Sequence, residues 1–197
     1  MKIVTWNSQS KFAENFKEIK KQNADIYVIQ ECENPQITKS EEYRDFASNS
    51  IWVGDNKNYG LGIWTNPDMK GNKVVYYPKE VTRYYELHKD SGFFNQDMIM
   101  CGDFNCDVSL VNKTHGKNVY EMMDRLSEVG LVDAYHYLND EVQGEESKAT
   151  FFMNRNLKKP FHLDHVFAAH DKIKDLQIPE PEHWLNFSDH VPIIFEI

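Results

Sequence analysis

Cysteine is scarce in this chain: Cys32, Cys101 and Cys106 are three in 197 residues, odd in number and too few to staple a chain of this size. They read as reduced thiols, and the spacing from Cys101 to Cys106 matches no zinc-site pattern. Positive charge is also short, since 22 Lys+Arg against 31 Asp+Glu leave a net charge of −9. That balance argues against gripping nucleic acid through bulk charge alone, and a phosphate-bearing partner would need a metal ion to mediate the contact. No apolar run is long enough to cross a bilayer, and Met1 opens directly into Lys2-Ile3-Val4-Thr5-Trp6 without a signal-peptide core. No membrane partner and no secretion are expected, and the thiols suit a cytoplasmic location. Internal repeats, low-complexity tracts and linkers are missing too, so residues 1–197 are expected to form one domain. With 41% hydrophobic, 27% charged and 13% aromatic residues, what is present is the composition of an ordinary globule able to bury a core.

The pattern of those residues is layered α/β. Lys2 to Trp6 reads as a strand that exits at Asn7-Ser8-Gln9-Ser10. Between Lys11 and Gln22, Phe12, Phe16 and Ile19 recur on one helical face, with Ser10 as the expected N-cap. Ile26 to Gln30 is an almost unbroken apolar run, as in a central strand, and Glu31 stands at its end. Met98 to Cys101 reads as a strand delivering Gly102-Asp103-Phe104-Asn105. A helix is expected from about Asn118 to Val129, with Val119, Met122, Leu126 and Val129 on one face and Gly130 at its C-terminus. Phe161 to Ala168 and Val191 to Ile197 read as the last strands. From Asn66 to Gln96 the pattern is weak, with at most a helical turn or two around Lys79 to Leu87.

Polar residues collect at the ends of these strands: Asn7, Glu31, Asp103, Asn105, Asp164, Asp189 and His190. One carboxylate at a strand end is ordinary, because solvent welcomes charge there. Several hard oxygen donors with an imidazole and two carboxamides instead suit Mg²⁺, which takes one or two carboxylates, water and phosphate oxygens. A zinc cluster of His162, Asp164, His165, Asp189 and His190 is the alternative. Against it, structural zinc favours thiolates, and a strand would turn His162 and Asp164 to one face and His165 to the other. His165 reads as a packed or surface residue, as do His88, His115, His136, His170 and His183. Cys101 and Cys106 read as small buried filler.

Thr5-Trp6-Asn7, Gln30-Glu31, Gly102-Asp103-Phe104-Asn105, Leu163-Asp164-His165-Val166 and Ser188-Asp189-His190-Val191-Pro192 stand in the order of the motifs of the endonuclease/exonuclease/phosphatase superfamily. The chain resembles that superfamily from its first strand to its last. The resemblance implies a four-layer α/β sandwich of two mainly antiparallel sheets with outer helices, and an active site at one end of the sheets. By matched position, Glu31 would be the main metal carboxylate, with Asn7 supporting the metal or a phosphate oxygen and Asp189 near the metal. Asp103 would deprotonate the attacking water and Asn105 would orient it. His190, fixed by Asp164, would hold a non-bridging oxygen.

The pattern breaks between Leu61-Gly62-Ile63-Trp64 and the Gly102 motif, where the first half is truncated relative to the superfamily. A phosphate-contacting histidine or tyrosine cannot be assigned there, with Tyr76, Tyr77 and His88 as compositional candidates. The expected function is a Mg²⁺-dependent phosphodiester hydrolase, with Mn²⁺ as a substitute ion and DNA, rather than RNA, as the nucleic-acid substrate of an endonuclease or exonuclease. Hydrolysis of a small-molecule or lipid-headgroup phosphoester is one alternative, and a catalytically impaired binding module is another. A homodimer through an exposed sheet edge would cover what the truncation uncovers. Lys158-Lys159 is the one basic element near a motif that could touch a backbone phosphate, and a solvated turn accounts for it better.

Overall fold

The computed structural model describes residues 1–56, 59–65, 88–107 and 117–197. Strand β1 (Lys2–Asn7) runs parallel to β2 (Ile26–Cys32), in register from Ile3 opposite Ile26 to Asn7 opposite Gln30. A parallel pair needs a crossover, and α1 (Phe12–Lys20) supplies it. Phe12, Phe16 and Ile19 are buried at the expected spacing. The helix start differs from expectation. Ser10 lies at φ +56°, and no side chain caps the helix from Lys11. The amide of Ala13 instead donates to Glu33 Oε2 at 3.0 Å, so a carboxylate from beyond β2 satisfies a free helix donor.

Helix α2 (Glu41–Phe46) is capped by Ser40 and leads into the hairpin of β3 (Ser50–Asn56) and β4 (Tyr59–Thr65). Trp64 of β4 meets Phe12 at 4.9 Å and stacks on Phe46 at 6.0 Å between ring centroids, which joins both helices to one face of the sheet. The chain continues through β5 (Met100–Asp103), α3 (Lys117–Glu128), β6 (Leu131–Asp133), α4 (Ala134–Asn139), β7 (Phe151–Phe152), β8 (Pro160–Phe161), β9 (Asp164–Ala169), β10 (Asp175–Gln177), α5 (Pro181–Trp184) and β11 (Ile193–Glu196).

Among the described residues, six strands form one sheet in the order β10-β11-β1-β2-β4-β3, three form a second in the order β5-β9-β6, and β7 pairs with β8. Every pair except β1 with β2 is antiparallel. This is the expected mixed α/β architecture. The faces of β9 divide the interior: Val166 joins the core of the larger sheet, whereas Phe167 joins a second core with Phe94, Phe104, Leu126 and Leu131.

Three expected elements shift. Met98 donates its amide to Asn95 in a turn, so the strand begins at Met100 and includes Asp103. The Phe161 to Ala168 run splits, because Phe161 pairs with Phe151 while Asp164 starts a separate ladder with Asp103. The last strand begins at Ile193, after Pro192, which has no amide to donate. Helix α3 closes as expected, with Leu126 buried and Gly130 at φ +81°. Tyr76, Tyr77, His115 and the turn over 79–87 lie outside the described residues.

Candidate active site

The residues at the strand ends converge. Asn7, the last residue of β1, donates through Nδ2 to Asp103 Oδ2 at 3.0 Å and to Glu31 Oε1 at 3.3 Å. Its Oδ1 accepts the amide of Gln9 at 3.0 Å, so its carboxamide enters the site as a donor between two carboxylates. Glu31 occupies a bulge where the β2–β4 register shifts, at φ +52°. That left-handed conformation is costly for glutamate and is held by backbone bonds, Ser8 amide to Gln30 O and Ser10 amide to Glu31 O, both at 3.0 Å.

Asp103 Oδ1 accepts the amide of Asn105 at 2.8 Å, and Asn105 turns outward at φ +51°. Just before it, Gly102 lies at φ +138°, and a Cβ there would come within 2.9 Å of Gln30 Nε2. The positive φ is what calls for glycine here, since the Gln30 side-chain end could shift to make room. His190 Nδ1 bonds Asp164 Oδ2 at 2.8 Å, its Nε2 lies 3.9 Å from Asp103 Oδ2 and 4.0 Å from Asp189 Oδ1, and the Phe151 ring packs on it at 4.7 Å.

Charge follows from this packing. Burial, and then the neighbouring Asp164 carboxylate, push the Asp103 carboxyl up to about 6 despite His190 and its hydrogen bonds. For His190, burial works against the cation, but the Asp164 carboxylate and its hydrogen bond, with Asp103 and Asp189, outweigh it and raise the imidazole to about 9. The site therefore holds an imidazolium and a base of near-neutral pKa in contact range.

Behind β9 lies a second charged group. His165 Nδ1 bonds Asp133 Oδ2 at 2.7 Å and its Nε2 faces Cys106 O at 3.4 Å. His136 Nε2 bonds Glu146 Oε1 at 3.0 Å, and its Nδ1 lies 3.1 Å from Asp133 Oδ1 but out of line for a hydrogen bond, an ionic contact. These carboxylates outweigh burial and raise both imidazoles, His136 to about 9. The alternative zinc grouping is thereby broken up, since Asp164 and His190 pair on one side of β9 and His162 and His165 meet on the other, 5.1 Å between rings. Strand periodicity would separate His162 from His165. It fails because residues 162 and 163 belong to no strand. His165 is thus a buried and His136 a part-buried ion-pair partner, which favours the packed reading over the surface one. Among the described residues no three His, Cys, Asp or Glu side chains are placed to cage a metal ion.

The chain matches the Endonuclease/Exonuclease/phosphatase family over residues 4–190. It belongs to that family. No curated protein sequence matches it. Among solved structures it is similar to a 3' phosphatase, NExo, from Neisseria bound to a product DNA hairpin, at 19% identity and a TM-score of 0.72, covering 100% of this chain and 99% of that one. It is similar also to an AP endonuclease from Archaeoglobus fulgidus (16%, TM-score 0.68, 99% and 98% covered) and to the 3'-5' exonuclease NExo of Neisseria meningitidis (18%, TM-score 0.65, 100% and 99% covered). At these identities the likeness establishes the fold. The Endonuclease/Exonuclease/phosphatase family and these neighbours are hydrolytic enzymes of phosphoester bonds, and enzymes of the family generally depend on a divalent metal.

The residues here fit a hard divalent cation. Glu31 is exposed and has no ion-pair partner among the described residues, Asp103 shares the Asn7 amide with it, and Asp164 Oδ1 is buried without a hydrogen bond. Such a site offers oxygen donors with uncompensated charge and leaves coordination positions for water and phosphate, as Mg²⁺ prefers. Supporting residues complete the site, Thr150 without a signal in the sequence and Ser188 from the last motif. Thr150 Oγ1 accepts the amides of Leu163 and Asp164 at 3.0 and 2.9 Å, which fixes the start of β9. Ser188 Oγ donates to Asn7 O at 2.7 Å and accepts from the His190 amide at 3.1 Å. His88 packs on Phe93, 5.6 Å between rings. Burial pushes the Cys101 thiol up to about 12 and the Cys106 thiol to about 11, the behaviour of inert filler.

Proposed function

We infer that the protein is a Mg²⁺-dependent phosphoester hydrolase acting on DNA. The observation that carries the reading is the Asp164–His190 pair, 2.8 Å apart, with His190 Nε2 3.9 Å from Asp103 Oδ2. An imidazolium and a buried base face one point, at which phosphorus could be attacked by water. Asp103 takes the proton of that water, and Asn105 orients it. His190, kept protonated and aligned by Asp164, donates from Nε2 to a non-bridging oxygen as negative charge accumulates. Glu31 would hold Mg²⁺, or Mn²⁺ in its place, with Asn7 aligning the Glu31 and Asp103 carboxylates and Asp189 close by. When bound, the ion supplies Lewis-acid stabilisation of the phosphoryl oxygens. For an acidic chain it also compensates the missing bulk positive charge.

The preference for DNA is supported by the structural neighbours, which are a 3' phosphatase bound to a product DNA hairpin, a 3'-5' exonuclease and an AP endonuclease. The purified protein should hydrolyse plasmid DNA, an abasic-site duplex or a 3'-phosphorylated oligonucleotide with Mg²⁺ and lose that activity in chelator. No metal-dependent turnover on any of them, or on bis(p-nitrophenyl) phosphate, would sink the reading. A pH profile follows from the charges. Asp103 must be ionised and His190 protonated, so kcat/KM should be bell-shaped, with its acid limb at or below about pH 6 and its alkaline limb near pH 9. The nearby cation favours the carboxylate and moves the acid limb lower.

A further inference from the structure

Two side chains outside the motifs are built into this site. Arg155, in the loop between β7 and β8, donates to Gln9 Oε1 through Nη2 at 2.6 Å and Nε at 3.2 Å. The same guanidinium donates to the carbonyls of Leu185 and Phe187 at 3.3 and 3.2 Å and to that of Asn186 at 3.2 Å, the chain leading into Ser188-Asp189-His190. Gln9 in turn donates from Nε2 to Asp189 Oδ2 at 2.8 Å, and its backbone amide fixes Asn7.

This network admits one orientation of the Gln9 carboxamide. Reversing it would set oxygen against the Asp189 carboxylate and NH₂ against the guanidinium. The backbone is committed to the contact as well: Gln9 and Ser10 lie at φ +51° and +56°, and Asn154 and Arg155 both at +57°. Four non-glycine residues in the left-handed region, two in each of the loops that meet here, persist only where their surroundings over-determine them.

We propose that Arg155 and Gln9 are positioning residues of the phosphoester site: Arg155 locks the Gln9 carboxamide so that its NH₂ holds Asp189 Oδ2, leaving Asp189 Oδ1 facing His190 and the reaction. The proposal rests on the hydrolase reading above. Its logic is separable, because a guanidinium that merely ties loops together would not care which end of the Gln9 amide faces Asp189. Gln9→Glu draws that distinction. It keeps an acceptor for Arg155 and preserves the tie, but replaces the donor facing Asp189 with a second carboxylate. Arg155→Lys removes the planar fork that spans Gln9 and three carbonyls.

The test combines two readouts on the full chain. In the NMR spectrum of the metal-free protein, the Gln9 side-chain NH₂ pair, assigned by its disappearance in Gln9→Glu, should be dispersed and protected from exchange, and should collapse to free-amide shifts in Arg155→Lys. With bis(p-nitrophenyl) phosphate and Mg²⁺, kcat should fall at least tenfold in both variants, with KM within threefold of wild type and the melting temperature of Gln9→Glu unchanged. Wild-type kcat in either folded variant, or an unchanged NH₂ pair in Arg155→Lys, overturns the proposal. So does a Gln9→Glu chain that does not fold, because the contact is then structural. A wild-type protein inactive on this ester but active on one of the DNA substrates moves the kinetic comparison to that substrate, inactivity on all of them strikes the hydrolase reading instead, and in either case the NH₂ pair decides whether Arg155 orients Gln9.

Discussion

Asp103→Asn is expected to lower metal-dependent phosphoester hydrolysis by about three orders of magnitude or more, with little change in stability. A positioned general base contributes roughly 10² to 10⁴ in rate, and this carboxylate also shares the Asn7 amide with Glu31, the proposed metal carboxylate. Asparagine is nearly isosteric and its Oδ1 can still accept the Asn105 amide. It can neither take a proton from water nor contribute negative charge. Burial already disfavours the charge of Asp103, and relieving it offsets the cost of setting the new Nδ2 against the Asn7 Nδ2 donor 3.0 Å away, so the two effects should largely cancel in the folded state. The check is a comparison of kcat on the same phosphodiester, together with urea denaturation of both proteins. Hydrolysis within tenfold of wild type would mean that the base lies elsewhere.

The second large effect is on stability. Asp133→Ala should cost about 3–5 kcal/mol, the range for removing one partner of a buried ion pair. It strips His165, which is 1% exposed, of its carboxylate, and it deletes the N-cap bonds to the Tyr135 and His136 amides at 2.9 and 3.3 Å. Because a domain is held by about 5–15 kcal/mol, a loss of this size should move the urea midpoint far down or leave the chain partly unfolded.

The same cluster sets a pH dependence whose sign is fixed by the shifts. His136 is raised from 6.5 to about 9, so its contribution is complete below pH 6.5 and fades as pH climbs to about 9. Glu146 is lowered from 4.5 to about 2, chiefly by its bond to His136 against the cost of burial, so its contribution is complete above pH 4.5 and fades as pH falls toward 2. The cluster therefore stabilises most between about pH 4.5 and 6.5. The alkaline decline in melting temperature should flatten in Asp133→Ala, and an unchanged slope would remove the cluster from the account.

Apolar periodicity was enough to place α1, since Phe12, Phe16 and Ile19 are its buried stripe, and strand-end polarity pointed to the residues that Asn7 and His190 gather. What stayed hidden depends on tertiary contacts. Asp133 looks like a loop residue until β6 sets it beside His165, 32 positions away, and Arg155 reaches Gln9 across 146. The N-cap of α1 was misread for the same reason, because the acceptor is Glu33, beyond the next strand. His162 lies on a different face from that expected because Phe161 to Ala168 looks like one strand in sequence, and nothing in it marks the break between β8 and β9. Composition cannot reveal a change of partner strand.

That break also bears on how the chain finds its pairing. On β9, Asp164 shares a face with Val166 and pairs with His190, while the next residue, His165, shares the opposite face with Phe167 and pairs with Asp133. A slip of one residue in the β5–β9 ladder would turn an acid toward Asp133 and an imidazole toward His190, so that like charges face each other on both sides of the strand. The groups assigned to chemistry and the groups behind them thus proofread the strand together, and misregistered forms are rejected by electrostatics before packing has to exclude them.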